Sequence, residues 1–128
     1  MTATGVTVVS FGYLHGPAPE ATVTLDLRTH YRDPHVSPDL RYLTADDEAV
    51  RLAVLGTPGI APLLAATADM VVAYLAGPSA GPITVAVGCA GGRHRAATVA
   101  MALGRDLLCR AIPTTVIHRD MHADVVER

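Results

Sequence analysis

The stretch VAVGCAGGRHRAATVA, Val85 to Ala100, decides the fold. Its first residues are apolar and β-branched, as in a strand buried on both faces. Gly91 and Gly92 then permit a tight turn, and the alanine-rich run after them has helix-forming composition. A strand, a glycine turn and a helix in that order open a β–α–β unit. Such a unit sets the turn at the carboxyl end of a strand, where open α/β sheets bind ligands. The turn carries Cys89, Arg93, His94 and Arg95, so it reads either as a catalytic loop or as a cradle for an anion.

Outward from this stretch, the strand predicted at Ile83–Cys89 leads into a helix over 93–109 and a last strand at Thr114–His118. Upstream, Val6–Phe11 lies between Gly5 and Gly12 and reads as a strand. Thr22–Arg28 alternates apolar and polar residues and reads as another. A long segment rich in His, Arg, Asp and Pro follows; a connection of this length inside one domain is more often functional than idle. A short helix is expected from Asp46 to Leu55. A second is expected to be capped by Thr57 with Pro58 at its first position, burying Ile60, Leu63, Leu64, Val71, Val72 and Leu75 before Gly77 and Pro78 end it. The expectation is one domain over residues 1–128, an α/β layer of about four strands with flanking helices.

Composition narrows the function. The chain has 128 residues, half of them hydrophobic, which suits a single packed core. A net charge of −2 and only 4% aromatic residues argue against a broad nucleic-acid surface built on basic charge and base stacking. All ten basic residues are arginine. With two cysteines and no basic, apolar leader in MTATGVTVVSFG, the expectation is a soluble cytoplasmic protein without disulfides and with no membrane association.

The turn has the elements of an anion site. Glycines expose backbone N–H groups, a helix amino terminus adds its positive dipole end, and Arg93, His94 and Arg95 add donors. No lysine is present for a Walker loop, and the spacing is not that of a dinucleotide fingerprint. No cofactor is expected. A plain strand-to-helix turn, with glycines serving only close packing, is the bland alternative. Cys89 to Arg95 also has the C-x5-R spacing of cysteine phosphatases, in which a thiolate attacks phosphorus. Asp33 would then be the general acid. Gly88 and Ala96 depart from that pattern, where a His and a Ser or Thr stand. His118 and His122 flank Asp120 but are expected to lie on a polar tail, so no metal site is assigned.

Several ordered motifs, SFGYLHG, LDLR, DPHVSPDLRYLT, VAVGCAGGRHR and VIHRD, together resemble the C-terminal domain of the RapZ family of bacterial RNase adapter proteins. The resemblance covers Ser10 to about Asp120. It implies a fold resembling part of phosphofructokinase and a regulatory domain that senses glucosamine-6-phosphate. It also implies contacts with small RNAs and protein partners, and a homo-oligomer. The ligand residues it implies are His35, Cys89, Gly91, His94 and Arg95, with His15 and Arg28 lining the same cleft; Gly92 and Arg93 join them from the reading of the turn itself. The chain departs from the family at Ala90, where threonine is usual, and in the HADVVER tail, where Lys and Arg are usual; no P-loop domain is expected over residues 1–128.

Overall fold

The computed structural model describes residues 5–79 and 81–127. It is an α/β layer around a four-stranded, wholly parallel sheet of order β2-β3-β1-β4. The strands are β1 (Val6–Gly12), β2 (Val23–Asp26), β3 (Ile83–Cys89) and β4 (Thr114–His118). The helices are α1 (Glu48–Leu55), α2 (Ile60–Leu75) and α3 (Arg95–Cys109). The unit expected around the glycine turn is therefore β3–α3–β4, with β1 inserted between its two strands.

Alternation along the strands explains the layering. Val6 and Val8 of β1, Leu25 of β2, Val85, Val87 and Cys89 of β3 and Val116 of β4 join one apolar cluster with Val54, Ile60, Val71, Val99 and Leu103 of the helices. The opposite face carries exposed Thr24, Asp26, Thr115 and Ile117. Because β1 and β2 both run parallel to β3, the chain from Tyr13 to Thr22 must return the length of the sheet before β2 begins. With one Phe and no Trp, the core is aliphatic. Leu103 and Leu107 are fully buried on α3, and truncating either to alanine is expected to cost about 3 kcal/mol.

Three of the differences from the expected boundaries have a local reason. The Thr57 hydroxyl donates to the Ala53 carbonyl at 2.9 Å, closing α1 instead of capping the next helix. The cap of α2 is Gly59, whose φ of 96° lies in the left-handed region, and Ile60 is the first helical residue. Helix α3 starts at Arg95, because Gly92 at φ 80° and His94 at φ −117°, ψ −84° hold the chain out of helical geometry. Strand β2 stops at Asp26, although the Leu27 N–H still bonds the Gly88 carbonyl at 2.8 Å. No single helix among the described residues is long and apolar enough to cross a membrane.

Candidate functional site

The site lies at the carboxyl ends of the two central strands, where Gly12 and Cys89 are register partners. Both strands end on glycine-rich backbone for a steric reason. A Cβ on Gly12 would stand 2.4 Å from the Gly91 carbonyl carbon, and one on Gly92 would stand 2.8 Å from the Gly12 nitrogen. The turn therefore folds directly onto β1. The Gly12 N–H donates to Asp120 Oδ2 at 2.8 Å, which ties the same point to the segment after β4. Arg119 pairs with Asp120 at 2.9 Å and donates to the Pro17 carbonyl at 2.7 Å, gathering the β1–β2 connection to that carboxylate.

Cys89 is buried on the core side, and its Sγ accepts N–H bonds from Gly92 at 3.3 Å and Ala96 at 3.4 Å. The sulfur thus fastens the turn to the first residues of α3. The other cysteine, Cys109, is exposed, and both thiols are free.

The three basic side chains of the turn run toward the long segment between β2 and α1. Arg95 is 3% exposed; its Nη1 donates to the carbonyls of Leu27 at 2.8 Å, Arg28 at 3.2 Å and Tyr31 at 3.3 Å. Its Nη2 pairs with Asp33 at 3.2 Å. His94 is buried, and its Nε2 donates to the carbonyls of Leu43 at 2.9 Å and Leu40 at 3.0 Å. Burial holds this imidazole below its ordinary pKa, against the opposing pull of the Leu43 carbonyl, the Asp33 charge and the Leu40 carbonyl. Arg93 donates to the carbonyls of Ala123 at 2.6 Å and Tyr42 at 2.7 Å. Arg93 and Arg95 each keep a buried Nε without an acceptor among the described residues.

The remaining residues singled out in the sequence fall around this centre. Pro34–Val36 forms one turn of 3-10 helix capped by Asp33, whose Oδ1 accepts from the His35 N–H at 3.0 Å, so Asp33 links buried His35 to Arg95. His15 ends the 3-10 turn Tyr13–His15, which is fastened to the glycine turn by the Leu14 N–H on the Ala90 carbonyl at 3.0 Å. His15 Nε2 is buried without a partner among the described residues. Arg28 lies further out, held by both oxygens of Asp26 at 3.0 and 2.7 Å, with its guanidinium 3.6 Å from the centre of the Tyr13 ring. The hydrogen bond from Arg28 holds the Asp26 carboxyl below the usual carboxylate range. The structure thus brings Gly91, Gly92, Cys89, His94, Arg95 and the His15 turn to one point, joins His35 through Asp33, and sets Arg28 at the rim.

Sequence reasoning named Gly12 only as a strand boundary and Asp120 only between two histidines, and placed neither in the site. Both stand inside quoted motifs, SFGYLHG and VIHRD, and a glycine or acid at a strand's carboxyl end was the available signal. Asp120 binds backbone and Arg119, and His122 faces Asp46 at 3.5 Å. Among the described residues, no group of three His, Cys, Asp or Glu is arranged to hold a metal ion.

The family profile described as the RapZ C-terminal domain matches residues 4–122. A nucleotide-binding protein of Salinispora tropica is 39% identical over 119 residues, 91% of this chain and 39% of that protein. One from Streptomyces coelicolor is 36% identical over 118 residues, 90% of this chain and 39% of its own length. One from Clostridium perfringens is 32% identical over 123 residues, 94% of this chain and 42% of its own. The chain therefore spans about two fifths of these relatives, 39% to 42%.

Proposed function

The chain belongs to the RapZ C-terminal domain family, and from that premise we propose that it is a regulatory binding domain for a small phosphorylated metabolite. The ligand class is an amino-sugar phosphate such as glucosamine-6-phosphate, seated at the turn Gly91–Arg95. One observation carries the reading: Gly92 at φ 80° folds the turn onto Gly12 and sets the amino end of α3 at the carboxyl ends of two parallel strands. The helix dipole and the turn's backbone N–H groups other than those of Gly92 and Ala96, which Cys89 Sγ takes, would hold the phosphate. Arg93 and Arg95 add buried Nε–H donors that lack an acceptor, and a phosphate oxygen is the group such donors need. His35 and His15 would meet the sugar, with Arg28 at the rim.

Calorimetry with glucosamine-6-phosphate, glucosamine and inorganic phosphate tests this. The sugar phosphate is expected to bind, inorganic phosphate more weakly and glucosamine not at all. Arg95→Lys should weaken binding about tenfold, since it loses the Nε–H donor left over from the internal contacts while keeping charge. No heat with either phosphate compound would overturn the reading.

The two N–H groups on Cys89 Sγ favour a second reading, because such donors also stabilise a thiolate. In it Cys89 attacks phosphorus, Arg95 holds the phosphoryl oxygens and Asp33 protonates the leaving group. Aryl phosphate turnover that Cys89→Ser abolishes would establish it; absence of turnover in the unsubstituted protein retires it.

A further inference from the structure

The helical face of α3 that points away from the sheet carries a feature the glycine turn does not use. Thr98, Met101, Ala102, Arg105, Asp106 and Cys109 follow the i, i+3, i+4 spacing of a single stripe. They line one wall of a cleft of about 580 Å³. From Thr98 to Cys109 the stripe runs about 16 Å at 1.5 Å per residue. The other wall is α1, which contributes Leu55, 40% exposed, and Arg51 one turn before it. The cleft is therefore elongated, with an apolar middle of Leu55, Met101 and Ala102.

Two groups in it are incomplete. Thr98 is 1% exposed, and its buried hydroxyl has no hydrogen-bond partner among the described residues. A buried polar group left so is costly unless something completes it. Arg105 makes no hydrogen bond or ion pair among the described residues. The acidic residues beside it are otherwise engaged: Asp106 pairs with Arg110 at 3.2 Å, and Asp46 turns to His122 at 3.5 Å. Arg51 gives its Nη1 to the carbonyls of Ala45 and Asp46. Among the described residues, Arg51 and Arg105 are thus the cations of this cleft without an ion-pair partner, and Arg105 makes no hydrogen bond either.

We propose that the α1–α3 cleft is a second ligand site, for a small organic acid with an unbranched apolar tail. Its carboxylate pairs with Arg105, its tail lies along Leu55, Met101 and Ala102, and the Thr98 hydroxyl donates to a polar atom of the ligand. This site is independent of phosphate binding at the turn.

The test uses the whole chain, labelled at the methionine methyl carbons, with decanoate as probe and decanol as the uncharged control. Met101 lies in the cleft, whereas Met70, 39% exposed on α2, is outside it. The expected result is a saturable shift of the Met101 methyl signal with decanoate while Met70 stays in place. Arg105→Gln, at an exposed position, should weaken binding about tenfold, the loss of one charge-assisted contact. Thr98→Val, close in volume, should weaken it by a smaller factor. Saturating inorganic phosphate should leave the Met101 titration unchanged. Met70 and Met101 shifting alike, decanol binding as tightly as decanoate, or Arg105→Gln leaving affinity within twofold would each overturn the proposal.

Discussion

The Arg95 guanidinium lies 3.2 Å from the Asp33 carboxylate, with the arginine 3% and the aspartate 21% exposed. One end of this pair is the first residue of α3, and the other caps the 3-10 turn that holds His35. Asp33→Asn leaves a buried cation without its counter-charge. Because Asp33 reaches solvent, the expected cost is about 1–3 kcal/mol, below that of a fully buried pair. Urea unfolding measures it. Hydrogen exchange should show lost protection in residues 28–36 while the strands stay protected. The same variant separates the two functional readings: as a binding site it takes up phosphate more tightly once Arg95 is released, and as a phosphatase it loses its acid and its turnover.

The close approach of Gly12 to Gly91 makes a steric prediction. Gly12→Ala sets a Cβ against backbone carbonyl atoms at 2.4 and 2.5 Å, which cannot swing aside as a side chain end can. The expected destabilisation is about 2–3 kcal/mol, with weaker anion binding because the turn must lift. Gly81→Ala is the control: nothing lies within 4 Å of its Cβ, and its stability should change by less than about 0.5 kcal/mol. Thermal unfolding of the two variants side by side decides whether the strand end requires glycine.

The elements were legible because local signals and tertiary structure agree there. Ile83–Cys89 could only be a buried strand, and glycine at 91 and 92 could only follow it as a turn. The direction of the basic side chains was not legible. Composition makes Arg93, His94 and Arg95 donors, but their acceptors are the Asp33 carboxylate and carbonyls of residues 27 to 43 and 123. No local pattern announces such contacts, because backbone carbonyls are the same at every residue. The cap of α2 was misplaced because Thr57 had two uses, and packing of α1 selected the other one.

Two histidines give the protein an acid sensitivity with a defined sign. Burial pushes both His94 and His118 below their ordinary value of 6.5; His118 also sits 2.6 Å from the Ser10 hydroxyl through Nδ1. A depressed folded pKa means that the unfolded chain takes up protons first. The stability these residues contribute is therefore complete above about pH 6.5 and lost as pH falls through their folded values. Melting temperature should fall between about pH 7.5 and 5.5, before most carboxylates titrate. His94→Gln, which keeps an N–H donor for the Leu40 and Leu43 carbonyls, should flatten part of that slope. A profile unchanged by the substitution would assign the slope to His118 or to other groups.

Arg93 tests whether charge or shape holds the long segment. Its Nη1 and Nη2 reach carbonyls at Ala123 and Tyr42, on chain segments far apart in sequence. Lysine carries the same charge on one ammonium and cannot span both points with the fixed fork of a guanidinium. If the residue served only as a cation for a bound anion, Arg93→Lys would leave stability intact. The geometry instead predicts a loss of about 1–2 kcal/mol, close to that of one or two hydrogen bonds. It should come with faster exchange at the Ala45 N–H, which bonds the Arg93 carbonyl at 2.9 Å. Affinity for inorganic phosphate, measured on the same variant below its unfolding midpoint, then reports how far Arg93 also serves the ligand.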